Sequence, residues 1–156
     1  MAGDPLAHPE QAIRRLYGYV AYRIGPGADA EDVVSETVER ALRYRDSYDD
    51  RKGSSAAWLA TIASHVIADR FRAQRNEQEL VVESADAVED FAFGSAGRLD
   101  LQQAMGSLDD RARELLALRY GADLRAREIA QMLGERTNTV EVALHRALAR
   151  LRERLE

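Results

Sequence analysis

The stretch EIAQMLGERTNTVEVALHRAL, residues 128–148, decides the fold. A short amphipathic run from Ala126 to Leu133 leads into a turn of about three residues that contains Gly134, and a longer run starts at Thr137. Ile129 and Leu133 face one way in the first run, as do Val140, Leu144, Leu148, Leu151 and Leu155 in the second, at the period of a helix. Gly134 stands where a left-handed C-cap is wanted, and Thr137 is placed to cap the second helix. Small or apolar side chains at Ile129, Ala130, Leu133, Val140 and Leu144 let the two helices cross closely. This is the helix-turn-helix pattern, whose second helix can enter the major groove of DNA. On its outward side Arg146, Arg150 and Arg154 recur every fourth residue as one basic stripe suited to phosphate. An ordinary helical hairpin with a solvated arginine face has the same pattern, so the motif alone leaves both open.

Upstream of this motif the helical period persists. Leu99 to Gly106 reads as a short helix, and a second, capped by Asp109, buries Leu115 and Leu118 and ends before Gly121. Arg125 occupies the position where a Ser or Thr would cap the motif's first helix, which makes Asp123 the candidate substitute. Between Asn76 and Gly97 the period fails. NEQELVVESADAVEDFAFGSAG holds six carboxylates and no basic residue, and it reads as a linker.

Before the linker lie three more amphipathic segments. Ile13, Leu16, Val20 and Ile24 mark a first helix, stopped by Gly25-Pro26-Gly27. Asp29, with Asp32 three residues on, is the expected cap of a second helix whose buried stripe is Val34, Val38, Ala41 and Leu42. Asp32, Glu36 and Glu39 fall on its opposite side. A turn through Asp49, Asp50, Arg51, Lys52 and Gly53 leads to a third helix, capped by Ser54 or Ser55. Trp58, Leu59, Ile62, Ala63, Val66, Ile67 and Phe71 form its apolar arc. Trp58 reads as core, because Leu59 and Ile62 beside it are apolar. Three such helices can close one small core. The expected fold is therefore all-α, with two small helical domains: an N-terminal extension at 1–10, a first domain at 11–75, the acidic linker at 76–97 and a second domain at 98–156.

Composition narrows the class of function. The chain has 156 residues, 46% hydrophobic and 31% charged, with 3 Pro, which suits soluble helices. Without Cys there is no disulfide framework, thiolate zinc site or Cys nucleophile. His8, His65 and His145 are too scattered for a local metal motif. No nucleophile–base pair or phosphate loop stands out, so the sequence predicts neither an enzyme nor a cofactor. Residues 1–10 lack the pattern of a signal peptide, and no segment has the length of a membrane span, so a cytoplasmic, nucleoid-associated protein without membrane insertion is expected. A formal charge of -5 looks wrong for a nucleic-acid partner, but its distribution reverses that impression. Residues 1–75 carry 11 basic and 11 acidic side chains, residues 98–156 carry 11 and 10, and the excess acid lies in the linker.

Two blocks of sequence carry a family resemblance. DAEDVVSETVERALRYRDSYDDRKGSSAAWLATIASHVIADRFRAQR, residues 29–75, resembles region two of bacterial extracytoplasmic-function (ECF, group IV) sigma factors. LDDRARELLALRYGADLRAREIAQMLGERTNTVEVALHRALARLRERL, residues 108–155, resembles their region four. The blocks stand in the family's order with its linker between them. The resemblance implies a subunit that binds core RNA polymerase, reads the promoter and opens it. By resemblance Asp32, Glu36, Glu39, Arg40 and Arg43 meet the polymerase clamp helices, region four meets the flap, and an anti-sigma factor is a further partner. Arg51, Lys52, Ser54, Thr61, His65, Asp69, Arg72 and Arg75 are carried over to the minus-ten element. That element melts, which calls for pockets around an unstacked base and cations along a single strand. Arg136, Thr137, Asn138, Thr139, Val142, His145, Arg146 and Arg150 are carried over to the minus-thirty-five element. The acidic linker would thread the polymerase's nucleic-acid channels, with plain disorder as the other reading.

The chain departs from the family at two places. His65 stands where many members have Asn, and imidazole presents a different donor–acceptor geometry from an amide. Glu141, Val142 and Ala143 replace a frequent Lys-Ser-Arg run in the recognition helix. A carboxylate repels phosphate there, and Val or Ala offers only apolar contact, for instance to a thymine methyl. The alternative function is thus a sigma-like interaction protein with weakened or altered region-four DNA binding. A conventional helix-turn-helix repressor would leave the first 75 residues unexplained.

Overall fold

The computed structural model describes residues 3–80 and 96–156, and within them the fold is helical throughout. The helices are α1 (Pro9–Ile24), α2 (Ala28–Arg43), α3 (Ser55–Leu80), α4 (Ala96–Gly106), α5 (Asp110–Leu116), α6 (Ala126–Leu133) and α7 (Thr137–Leu155). The central part of the expected linker lies outside the described residues. At its edges the helices run further than the loss of period predicted: α3 continues five residues past Arg75 and α4 starts at Ala96.

Several helix ends follow the local chemistry. Asp109 accepts the Ala112 N–H at 2.8 Å and caps α5 as expected. Ser54 takes the cap of α3, its Oγ accepting the Ala57 N–H at 3.2 Å. Gly134 closes α6 in the left-handed conformation, φ 67°. Other caps differ from expectation. α2 begins at Ala28 behind Gly27, so Asp29 lies inside the first turn, where its charge favours the helix N-terminus without capping it. Arg136 holds the cap position of α7 and Thr137 is its first helical residue. Asp123 does not cap α6: it sits at φ 58° in the turn before it, and Glu128 reaches back to accept the Arg125 N–H at 3.2 Å.

The two groups of helices are packed together. One apolar cluster runs from Leu16, Tyr19 and Val20 of α1 through Val33, Leu59, Ala63, Val66 and Ile67 to Leu115, Leu118, Leu124, Ile129 and Val140. A second gathers Met105 of α4, Leu108 of the turn that follows it, Leu116 of α5, and Ala147 and Leu151 of α7. The chain leaves α5 through a π-helical turn, Ala117–Gly121, that lies directly on α1. Ile13, Leu42, Phe71, Leu133 and Leu155, all expected to face inward, are instead exposed. Each sits at the margin of its stripe or near a helix end, where a 3.6-residue period drifts away from a narrow contact.

Candidate nucleic-acid interface

The turn before α3 is built by its own side chains. Asp49 accepts the Arg51 N–H at 3.0 Å through its carboxylate and the Lys52 N–H at 3.0 Å through its carbonyl. The Arg51 and Lys52 side chains stand in solvent, the Arg51 side chain 91% exposed with its Nε 3.7 Å from the Asp49 carboxylate. The Tyr48 hydroxyl donates to the Gly53 carbonyl at 3.3 Å, and its ring meets Trp58 edge-on with centroids 5.4 Å apart. Trp58 is thus occupied in packing, as its apolar neighbours predicted.

Along α3, Thr61, His65, Asp69 and Arg72 follow one face. His65, Arg72 and Arg75 are exposed. Thr61 donates its hydroxyl proton to the Ala57 carbonyl at 3.0 Å and keeps only lone pairs to offer. Asp69 is paired twice: Arg40 of α2 reaches it at 3.2 Å, and Arg72 forms an ion pair with it. Hydrogen bonds from Arg40 first and Arg72 second hold its carboxyl below the usual range. Arg40 also lies 3.9 Å from Glu36, which stands at the same distance from Arg70. Two residues carried over to different partners, Arg40 and Asp69, therefore neutralise each other here. Of the remaining α2 positions, Glu39 pairs with Arg43 at 2.9 Å and Asp32 is exposed.

The second surface is the start of α7. Arg136, Asn138, Thr139, Val142, His145 and Arg146 are exposed, Thr137 is half-buried, and Val142 has 41% of its surface in solvent. Glu141 is exposed beside them. Arg111 of α5 holds Glu135 in the turn through two hydrogen bonds, 2.9 and 2.5 Å, which keeps the Glu135 carboxyl low and fixes how α7 leaves the turn. Arg150 is drawn toward Asp109, at 3.4 Å, so the expected arginine stripe is partly turned to its own protein.

The structure brings the two surfaces close. The Gln131 side chain of α6 donates to the Arg51 carbonyl at 3.0 Å, which places the helix-turn-helix beside the turn before α3. The sequence did not reveal the contacts that hold this arrangement. Gly18 inside α1 and Gly121 after α5 approach so closely that a Cβ on either would meet the other's carbonyl oxygen, at 2.2 and 2.5 Å respectively. The Tyr19 hydroxyl donates to both Glu114 oxygens, at 2.9 and 2.7 Å, and Arg23 forms an ion pair with the same carboxylate. Arg15 donates to the Ala122 carbonyl at 2.7 Å and to that of Asp123 at 3.0 Å. A glycine inside an amphipathic helix was the one available signal of the close approach.

Comparison with known proteins supplies a family. Residues 10–77 match the Sigma-70 region 2 family and residues 98–151 match Sigma-70, region 4. The chain is 32% identical over 149 residues to the ECF RNA polymerase sigma factor BldN of Streptomyces coelicolor, spanning 91% of this chain and 56% of that protein. It is 32% identical over 169 residues to the ECF RNA polymerase sigma factor SigD of Mycobacterium tuberculosis, spanning 99% of this chain and 80% of that one. Among solved structures, the sigma factor RpoE in complex with the anti-sigma factor NepR from Bartonella quintana shares the fold. Its TM-score is 0.72 at 23% identity, over 92% of this chain and 91% of that one. CnrH in complex with the cytosolic domain of CnrY gives a TM-score of 0.61 at 26% identity, over 94% and 80%.

Proposed function

The chain belongs to the extracytoplasmic-function family of RNA polymerase sigma factors, and from that premise we propose that it binds core polymerase through α2 and reads a promoter through α3 and α7. The observation that carries the reading is the pair of exposed surfaces, each at the position of a sigma region. The turn before α3 and its outer face offer Arg51, Lys52, His65, Arg72 and Arg75 to a single strand. The first two turns of α7 offer Arg136, Asn138, Thr139, Val142, His145 and Arg146 to duplex DNA. Asp32, Glu36, Glu39, Arg40 and Arg43 of α2 face the polymerase clamp, and region four faces the flap. Ser54, Thr61 and Asp69 shape the first surface, and Thr137 and Arg150 the second. The protein acts by binding, without catalytic chemistry or a cofactor of its own, in the cytoplasm on the nucleoid. An anti-sigma factor is a further partner; the sigma factor RpoE, whose fold this chain shares, was captured with one. The domains divide as 11–75 and 98–156, with the acidic segment 76–97 joining them.

The second reading is a sigma-like interaction protein whose region four has lost or changed its DNA contacts. Exposed Glu141 and Val142 and half-buried Ala143 favour it. Changing this run to Lys-Ser-Arg and measuring binding to promoter fragments in the presence of core polymerase separates the two. A re-tuned reader loses its own promoter and gains nothing there. General gain of affinity would establish the interaction protein instead.

A further inference from the structure

We propose that Asp4 and Arg45 are positioning residues for promoter opening: the arm at residues 4–8, ahead of α1, ties down the turn before α3 and so sets Arg51 and Lys52 for the unpaired strand. The proposal rests on the reading of that turn as a single-strand surface. The arm itself precedes the region 2 match, which starts at residue 10.

The arm is held at several places. The Asp4 carboxylate accepts the Leu6 N–H at 3.0 Å and the Asp4 carbonyl accepts the Ala7 N–H at 3.2 Å, so the arm folds into a turn of its own. Pro5 is buried, and Leu6 packs against the larger apolar cluster. Both Asp4 oxygens then accept from Arg45, Oδ1 from Nε at 3.0 Å and Oδ2 from Nη2 at 2.9 Å, as a two-bond fork. Arg45 stands at the start of the connection between α2 and α3. At the other end of that connection Asp4, Pro5, Ala7 and His8 line one small cleft with Ser55 and Ala56 of α3. Between those ends the Arg45 carbonyl accepts the Tyr48 N–H at 3.2 Å, and Tyr48 passes the hold on to Trp58 and Gly53. The arm therefore reaches both ends of the segment that carries Arg51 and Lys52.

What the arm supplies is order. A turn that wanders must be ordered by the strand it binds, and that cost lowers affinity. The Asp4 and Arg45 side chains are 44% and 45% exposed, and pairs of that kind shift an equilibrium only about two- to fivefold. The sign is more informative than the size. Asp4→Asn keeps the turn at Leu6, because an amide oxygen also accepts, and it removes a negative charge near a phosphate-binding turn. Electrostatics alone then predict faster melting of the promoter, whereas loss of the tie predicts slower melting.

The probe is a duplex promoter fragment recovered by run-off transcription with the wild-type chain and core polymerase. Melting is followed by permanganate oxidation of unpaired thymines, and closed-complex affinity is measured in the cold, before melting. Asp4→Asn and Arg45→Gln should each slow melting about two- to fivefold and leave closed-complex affinity unchanged. The double variant should be no slower than either single one, because both remove the same link; additive slowing overturns that link. The chain has no Cys, so a nitroxide at Asp50→Cys reports on the turn and one at Ala149→Cys on α7, both at exposed positions. Each variant should raise mobility at residue 50 alone. Unchanged or faster melting overturns the proposal, as does an equal loss of closed-complex affinity, which marks a merely structural role. A label at residue 50 as immobile as in the wild type overturns the tie even where melting slows. Circular dichroism identifies folded variants, and Arg45→Gln carries the test if Asp4→Asn does not fold. If the wild-type chain initiates nowhere, the sigma reading fails and the promoter role with it, whereas the label still decides whether the arm holds the turn.

Discussion

At the scale of single residues, Gly18 gives the sharpest prediction. In an isolated helix Gly→Ala gains about 1 kcal/mol from propensity. Here the new methyl would lie 2.2 Å from the Gly121 carbonyl oxygen, which cannot yield without moving the turn. Overpacking of this kind costs about 1–3 kcal/mol. Gly18→Ala should therefore lower the melting temperature or release the domains from each other; a more stable, still closed variant would contradict the close approach. His65 makes a prediction of the opposite sort. It is exposed on α3, so His65→Asn should leave stability within about 0.5 kcal/mol. Its effect belongs in promoter preference at the base it faces, measured by initiation on single-base promoter variants; an unchanged preference would remove His65 from the reading surface. Of these two residues His65 was singled out in the sequence as a candidate, because it stands in a stretch that carries the family resemblance. Gly18 was not, because its partner lies 103 residues away.

At the scale of elements, helix existence was legible and helix ends were less so. The period of apolar residues located the helices, and Asp109, Ser54 and Gly134 act where their chemistry places them. Asp29, Thr137 and Asp123 do not, since capping residues recur near a helix start and only the backbone decides which is used. The paired carboxylates give a pH prediction. Asp4 and Asp109 lie below their ordinary values first because they accept the N–H groups of Leu6 and Ala112, with Arg45 and Arg150 adding to the effect, and Asp69 and Glu135 because Arg40 and Arg111 hydrogen-bond to them. Because the folded chain binds protons less readily than the unfolded one, their contribution is complete above the ordinary carboxylate range, about pH 4, and is lost as pH falls through the lower folded values. The urea midpoint should be level from pH 6 to 5 and fall by pH 3; a level midpoint at pH 3 would show these pairs idle. Tyr19 acts at the other end. Burial pushes its phenol up to about 12. Its contribution is complete below about pH 10 and fades as pH rises toward the folded value. In α7, Arg146→Ala should weaken duplex binding across sequences and reduce the salt slope by about one. An unchanged slope would place Arg146 off the phosphates.

At the scale of the whole molecule, the sequence showed two helical domains and an acidic segment between them but not how the domains sit. Each domain has amphipathic helices that could close a core alone, and nothing in a local pattern reports that α1 also packs on the turn after α5. The apolar cluster that joins them uses Leu16, Tyr19 and Val20 from one side and Leu115, Leu118 and Ile129 from the other. These positions look like ordinary interior residues when each half is read by itself. The surfaces carried over from family resemblance stand outside this cluster, and packing of the domains does not bury them. Run-off transcription with purified core polymerase on genomic fragments tests the account most directly. It predicts initiation at discrete start sites that depends on the added chain and drops when Arg72 or Arg146 is replaced by Ala; failure both to bind core polymerase and to initiate at any fragment would contradict it.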